Sequence, residues 1–304
     1  MDLQQLRCFV AAAEDLHFGH AAQRLDMLPA AFGRHIRLLE QDFGTQLFLR
    51  TTRSVALSPR GQELLEDARR LIADADALAS RFRSKGRQDS DILRIGTIDT
   101  AAAGLLPELL QDFRAAFPLV QTRIIEDKTI RLLPRLLSGR IDIAFVRPPE
   151  TRDRRIAFRH LFHETPVVAV PHTSTLAAKS ALTMRDLADA PLIVPDRRSR
   201  PHSHDLTIKL FAEAGIPARI SQFADEKQTI ITLVAAGLGI AIVPRWTARL
   251  AIAGVCYLDL ELDDASSSSR LPLAAAYLKG TRDSLRDSML DLVTRQIERY
   301  AAQA

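Results

Sequence analysis

Arg34, Arg50 and Arg53 are the side chains of this 304-residue chain best placed to grip a nucleic acid. A guanidinium presents five N–H donors in a rigid fork that matches guanine edges and phosphate oxygens. Arg34 stands in Pro29-Ala30-Ala31-Phe32-Gly33-Arg34, and Arg50 and Arg53 flank Thr51 and Thr52 in a stretch with no acidic residue. A second set suits a small organic anion. Thr100, followed by Ala101, and Thr129 each stand where a strand gives way to a helix, and Arg147 ends a run of apolar residues. Hydroxyls beside unpaired backbone amides bind carboxylates, and an arginine adds charge-assisted hydrogen bonds.

The elements that must position the first set are legible. Leu3, Leu6, Phe9, Val10 and Ala13 recur at helical spacing and form an apolar stripe. Gly19-His20-Ala21-Ala22-Gln23-Arg24-Leu25 supplies two alanines where a second helix can cross closely, and Asp26-Met27-Leu28 turns the chain into a third. This is helix-turn-helix spacing. In such a motif the last helix enters the major groove. Pro29, Ala30, Ala31 and Arg34 would face DNA while Phe32, Ile36 and Leu39 face inward. The segment from Gln46 to Leu57 reads as a hairpin, a wing whose Arg50, Thr51 and Arg53 would touch phosphates or the minor groove.

Five linked patterns occur in order: Leu6-Arg7-x-Phe9, Phe18-Gly19-x-Ala21-Ala22-x-x-Leu25, Leu39-Glu40, Gln46-Leu47-Phe48-x-Arg50 and Leu57-Ser58-x-x-Gly61. Together they closely resemble the LysR-type transcriptional regulators. The resemblance implies an effector-responsive regulator that binds double-stranded promoter DNA, contacts RNA polymerase and self-associates to a dimer and then a homotetramer. One departure stands out, because the family usually opens its recognition helix with Ser-Gln-Pro and this chain has Leu28-Pro29-Ala30. Serine would cap the helix at about 1 kcal/mol, which Leu28 cannot do, although Pro29 suits the first helical position. The missing glutamine removes a bidentate adenine contact, so an atypical operator or greater reliance on DNA shape is expected.

Ser58-Pro59 opens a long helix in which Leu64, Leu65, Ala68, Leu71, Ile72, Ala75, Leu78 and Phe82 form a coiled-coil-like seam. Under three heptads would be marginal alone, so the helix needs a second copy or the body of its own chain to pack on, and a dimer is the expected result. From Ile92 short apolar strands alternate with helices, the pattern of an α/β fold. Strands are read at 92–98, 120–125 and 141–146, with helices at 104–116 and 130–137. The chain then crosses through His160–His163 and Pro166–Val170 into strands near 192–194, 218–220 and 240–243. It returns for a strand at 271–278 and a helix at 284–300. Two crossings around a central cleft give a two-subdomain architecture like that of periplasmic binding proteins.

The expected organisation is a winged helix-turn-helix over 1–58, a linker helix over 59–88 and a two-subdomain effector-binding domain over 89–304. Its first subdomain would take about 89–162 and 268–304, its second about 163–267. Thr100, Ala101, Thr129 and Arg147 would line one wall of the cleft. The basic turn 195–204, with His202 and Ser203, and the helix start at Glu226-Lys227-Gln228-Thr229, with Gln228, would line the other. The resemblance is to the branch that senses aromatic and muconate-type acids, so an aromatic or dicarboxylic effector is implied.

Composition excludes more than it identifies. A net charge of +4 and 47% hydrophobic residues describe an ordinary globular chain. Basic residues barely outnumber acidic ones over 1–87, too weak a bias for a purely architectural DNA protein. Gly237-x-Gly239 falls short of a dinucleotide fingerprint, and no nucleophile-elbow or phosphate-loop pattern occurs, so enzymatic activity and a cofactor are not expected. His202-x-His204 is too sparse a set to hold a metal. Cys8 and Cys256 lie apart on apolar segments and read as free thiols. The start lacks a basic segment followed by an apolar core, so a cytoplasmic location is expected.

Overall fold

The computed structural model describes residues 1–25, 27–50, 55–85, 92–262 and 271–304. It divides into two compact units, Met1–Arg87 with Leu137–Gly139, and Gln88–Leu136 with Arg140–Ala304.

The first unit opens with α1 (Leu3–Asp15), whose start is closed by a capping box between Asp2 and Gln5. Two further helices follow, α2 (Phe18–Arg24) and α3 (Pro29–Phe43). Leu6, Phe9, Ala12, Ala21, Ala22, Phe32, Ile36 and Leu39 meet in one core, and the Ala21-Ala22 pair is fully buried. Gly44 ends α3 at φ 63°, a left-handed position that glycine occupies without strain. A short antiparallel hairpin follows, β1 (Phe48–Arg50) against β2 (Val55–Leu57). The unit closes with α4 (Pro59–Lys85), in which Leu71 and Leu78 remain exposed.

The second unit is two lobes joined by two crossings. Lobe I begins with β3 (Ile92–Thr97), α5 (Asp99–Ala103), α6 (Leu105–Ala116), β4 (Gln121–Glu126), α7 (Thr129–Leu137), β5 (Ile143–Val146) and β6 (Ile156–Glu164). Glu164-Thr165-Pro166 carries the chain into lobe II: β7 (Pro166–Pro171), β8 (Ala181–Leu182), β9 (Leu192–Val194), α8 (Pro201–Glu213), β10 (Ile220–Phe223), α9 (Lys227–Ala235), β11 (Ala241–Pro244) and β12 (Val255–Leu260). A 3-10 turn at Arg245–Leu250 separates the last two strands. The chain returns to lobe I for β13 (Leu271–Leu278), α10 (Ser284–Arg295) and α11 (Ile297–Ala301).

The lobe I sheet has the order β4-β3-β5-β13-β6, with β3, β4 and β5 parallel and β13 antiparallel to both its neighbours. Lobe II pairs β11-β7-β12-β8 and, beside it, β10-β9, linked by a bridge from Leu192 to Ile240. Ile143–Val146 and Leu192–Val194 are buried along their whole lengths, as expected of strands covered on both faces. Asp99 and Thr129 lie just beyond the carboxyl ends of parallel strands, at helix starts, where α/β sheets place their ligands.

Candidate functional site

In the first unit, Pro29, Ala30, Ala31 and Arg34 are exposed on the opening turns of α3, while Phe32, Ile36 and Leu39 are buried. Leu28 occupies the N-cap and makes no side-chain cap bond, and Pro29 follows at the first helical position. The motif residues explain themselves mechanically. Glu40 Oε1 accepts from the backbone N–H of Leu47 at 2.9 Å and of Phe48 at 3.2 Å, holding the hairpin to α3. Ser58 Oγ donates to Gln46 O at 2.7 Å and accepts from Gly61 N at 3.0 Å. A Cβ on Gly61 would stand 2.2 Å from Leu47 O, so only glycine lets α4 start this close to the hairpin. Arg50 ends β1, and Thr51 and Arg53 lie outside the described residues.

Between the lobes of the second unit lies a cavity of about 480 Å³. Asp99, Thr100, Ala102, Ala103 and Glu126 form its lobe I wall. Glu226, Lys227 and Gln228 from the start of α9 face them, with Thr247 and Leu250 of the 3-10 turn. No aromatic side chain is among these lining residues, and three of the ten are apolar.

Charged groups bind the two walls together. Arg200 of lobe II reaches Asp99 Oδ2 of lobe I at 3.0 Å and Glu226 at 3.1 Å. Lys128 of lobe I reaches Asp225 and Glu226 of lobe II, both at 3.2 Å. Asp99 is held below the usual carboxylate range, because Lys227, Arg200 and the Thr100 N–H outweigh the burial that pushes it up. Behind Thr100, Arg147 Nη2 donates to Glu164 Oε2 at 2.5 Å, and Glu164 is completely buried. The Thr100 hydroxyl donates to the same oxygen at 3.2 Å and accepts from Arg147 Nη2 at 3.3 Å. Burial drives the Glu164 carboxyl above its ordinary range despite the arginine, which opposes the rise.

The residues singled out in the sequence therefore divide. Thr100 and Gln228 line the cavity. Arg147 stands one layer behind it, its charge already met by Glu164, so it is a structural partner of Thr100 and not an open anion hook. Ala101 is buried in lobe I, and the neighbouring alanines Ala102 and Ala103 reach the cavity. Thr129 opens α7 and is half-buried outside the lining. His202 and Ser203 sit in the first turn of α8. Burial pushes the His202 imidazole below its ordinary range, and the Arg147 charge nearby adds to the effect.

Lys227 belongs to the helix start that the sequence assigns to the second wall, where Gln228 and not Lys227 is singled out. Its side chain is 5% exposed, and among the described residues no acidic oxygen lies within ion-pair distance of its ammonium. A signal existed. Lys227, Ile230, Ile231 and Val234 are the buried residues of α9, at i, i+3, i+4 and i+7, so the lysine occupies a place on an apolar stripe.

Comparison with known proteins identifies the architecture. Residues 3–62 match the family described as bacterial regulatory helix-turn-helix protein, lysR family, and residues 86–297 match the LysR substrate binding domain. The chain belongs to the LysR family. As a LysR-type transcriptional regulator, it carries a DNA-binding head and an effector-binding domain. HTH-type transcriptional regulator TtuA of Agrobacterium vitis is 56% identical over 304 residues, which span both chains completely. Full-length CbnR in complex with its target DNA is 25% identical with a TM-score of 0.60, over 98% of this chain and 100% of that one. The BenM effector binding domain with its effector benzoate is 26% identical with a TM-score of 0.60, over 70% of this chain and 94% of that one. The enzyme and architectural readings give way to this assignment. Among the described residues no helix is long and apolar enough to cross a membrane.

Proposed function

We propose that this LysR-type regulator binds promoter DNA through Pro29, Ala30, Ala31 and Arg34 of α3 and through Arg50, Thr51 and Arg53 of the hairpin, and that a small organic acid in the cleft modulates that binding. The observation that carries the reading is the cavity whose two walls come from different lobes and are joined by the Arg200–Asp99 and Lys128–Asp225 ion pairs. A ligand bound there contributes to the free energy of closing the lobes, and a differential affinity of a few kcal/mol is enough to shift a two-state equilibrium. Thr100 and Gln228 meet the acid directly. Ala101, Thr129, Arg147, His202 and Ser203 shape and hold the walls around it.

Self-association through α4 fits this role. Leu71 and Leu78 are 45% and 50% exposed along its seam, an apolar strip that a second copy would cover. Two heads on a dimer read a roughly two-fold operator, and assembly of dimers into a tetramer through the effector domains would let closure alter DNA bending and RNA polymerase contact. The protein works in the cytoplasm as a regulator without catalytic activity. Its working parts are the head at 1–58, the linker helix at 59–88 and the effector domain at 89–304.

Fluorescence anisotropy of the full-length protein on its own upstream DNA, across a salt series and with and without small carboxylic acids, tests this. The expected result is specific binding that at least one acid shifts. Weak, steeply salt-dependent binding that no acid changes would refute it.

A further inference from the structure

Lys227 and the uncapped start of α9 stand together at the cavity, opposite Asp99 and Glu126. Three features of the cavity meet there. The α9 N-cap, Glu226, makes no side-chain cap bond, which leaves the first N–H groups of this nine-residue helix without a side-chain acceptor at a helix start that lines the cavity. Lys227, the first residue of that helix, is nineteen-twentieths buried, lines the cavity and has no ion-pair partner among the described residues. Thr247, also lining the cavity, has a buried hydroxyl oxygen with no hydrogen-bond partner. Asp99 and Glu164 offset only part of the cost of burying this cation, so a carboxylate placed beside it and the open backbone donors would be stabilised.

The remaining walls specify more than charge. Asp99, Glu126 and Glu226 are acceptors when ionised, and the cavity has no aromatic lining on which a ring could stack. An acid with no donor of its own would leave these carboxylates facing its apolar body or a second negative charge. A hydroxyl on the carbon skeleton can donate to Glu126 or Asp99, and it can accept from or donate to Thr247. We infer that the effector is a small hydroxylated carboxylic acid whose carboxylate sits on Lys227 and the N-terminal amides of α9. The inference rests on the effector reading of the cleft given above and departs from the aromatic class that the sequence resemblance implies.

Burial also gives the anchor a signature. It pushes the Lys227 ammonium down to about 8, against the pull of Asp99 and with the help of Arg200 and Arg147, while Glu164 pulls the other way. The groups facing it are Asp99 from α5, Glu126 from β4, Glu164 from β6, Arg147 after β5 and Arg200 before α8. A bound carboxylate stabilises the charged form, so affinity holds below this value and falls about tenfold per pH unit above it if the neutral amine contributes nothing.

The experiment titrates the full-length protein with two matched pairs, lactate against propionate and malate against succinate, and follows Trp246 fluorescence and heat. The hydroxylated member of a pair is expected to bind at least tenfold more tightly. Lys227→Met should weaken it by roughly 10- to 100-fold, the usual scale of a charged hydrogen bond. Lys227→Arg should retain binding and lose the fall in affinity above pH 8. Equal binding within each pair overturns the hydroxylated class. Unchanged affinity in Lys227→Met, or a pH profile that survives Lys227→Arg and so belongs to another group such as Glu164, overturns the anchor while the effector cleft stands. Absence of binding by any acid to the wild-type protein overturns the cleft reading itself, and this inference with it.

Discussion

Removing the Arg147 side chain should unbalance a buried charge before it touches any ligand. Arg147 Nη2 lies 2.5 Å from Glu164 Oε2 and 3.3 Å from Thr100 Oγ1, and its Nη1 donates to Pro272 O at 3.3 Å. Arg147→Ala leaves Glu164 without its hydrogen-bonded countercharge and the Pro272 carbonyl without this donor. Removing one partner of a buried ion pair costs about 3–5 kcal/mol. A second route to the magnitude uses the proton. Glu164 escapes its charge by binding one, and from an unfolded value of 4.5 that costs at most about 3.4 kcal/mol at pH 7, at about 1.36 kcal/mol per pH unit.

The same ceiling is about 1.4 kcal/mol at pH 5.5, from the same constant. Its sign follows from linkage. A carboxyl whose folded value lies above its unfolded one stabilises the fold below 4.5 and loses that contribution as pH rises through the folded value. The wild-type carboxyl is raised in the same sense, so the deficit of Arg147→Ala should shrink by at most about 2 kcal/mol between pH 7 and pH 5.5. Urea unfolding followed by Trp246 measures it, since this is the chain's single tryptophan and is 1% exposed in the same unit. The double variant Arg147→Met with Glu164→Leu, which removes both charges, should recover most of the loss. A deficit below about 1 kcal/mol that does not vary with pH would refute the buried-pair argument, because exposed pairs have that magnitude.

Three further outcomes are expected. Leu28→Ser should give α3 the cap it lacks and stabilise the head by about 1 kcal/mol, read by thermal unfolding of the head signal. Arg34→Ala should weaken operator binding by about 1–3 kcal/mol if it reads a base, with discrimination relaxed at one position of a binding-site selection. Gly104→Ala would place a Cβ 1.8 Å from Trp246 Cδ2, so overpacking should cost about 1–3 kcal/mol and shift Trp246 emission to the red.

What the sequence disclosed depends on distance along the chain. The head was legible because its signals are local: Ala21-Ala22 mark a close helix crossing, and Leu57-Ser58-x-x-Gly61 marks a junction closed by bonds from Ser58 to Gln46 and Gly61. The unusual Leu28-Pro29 start also reads directly, and the structure bears out the missing cap. In the second unit the strand at 92–98 and the helix at 130–137 emerged nearly as read, whereas the five-residue α5, ahead of the helix read at 104–116, is too short to show a period.

The run from Pro195 to His204 reads as a basic turn by composition, yet Pro201 begins α8, whose Leu206, Leu210 and Phe211 enter the lobe II core. Its charge gave no hint of the apolar face beyond it. Arg147, just after β5, and Glu164, the last residue of β6, meet across the sheet, and no periodicity predicts such a pair. The threonines illustrate the same limit. Thr100 and Thr129 share a local signature, but the tertiary fold turns one to the cavity and leaves the other outside its lining. Lys227 differs, since a lysine on the apolar stripe of α9 is a local anomaly and was there to be read.

The most direct test of the account is reciprocity between the two units. The affinity of full-length protein for its acid, followed by Trp246 fluorescence, would be measured with and without saturating operator DNA, and operator affinity with and without the acid. Linkage predicts that both change by one common factor, about 5- to 150-fold for a coupling of about 1–3 kcal/mol. Tight acid binding in the cleft with operator affinity and acid affinity each unaffected by the other would contradict the account.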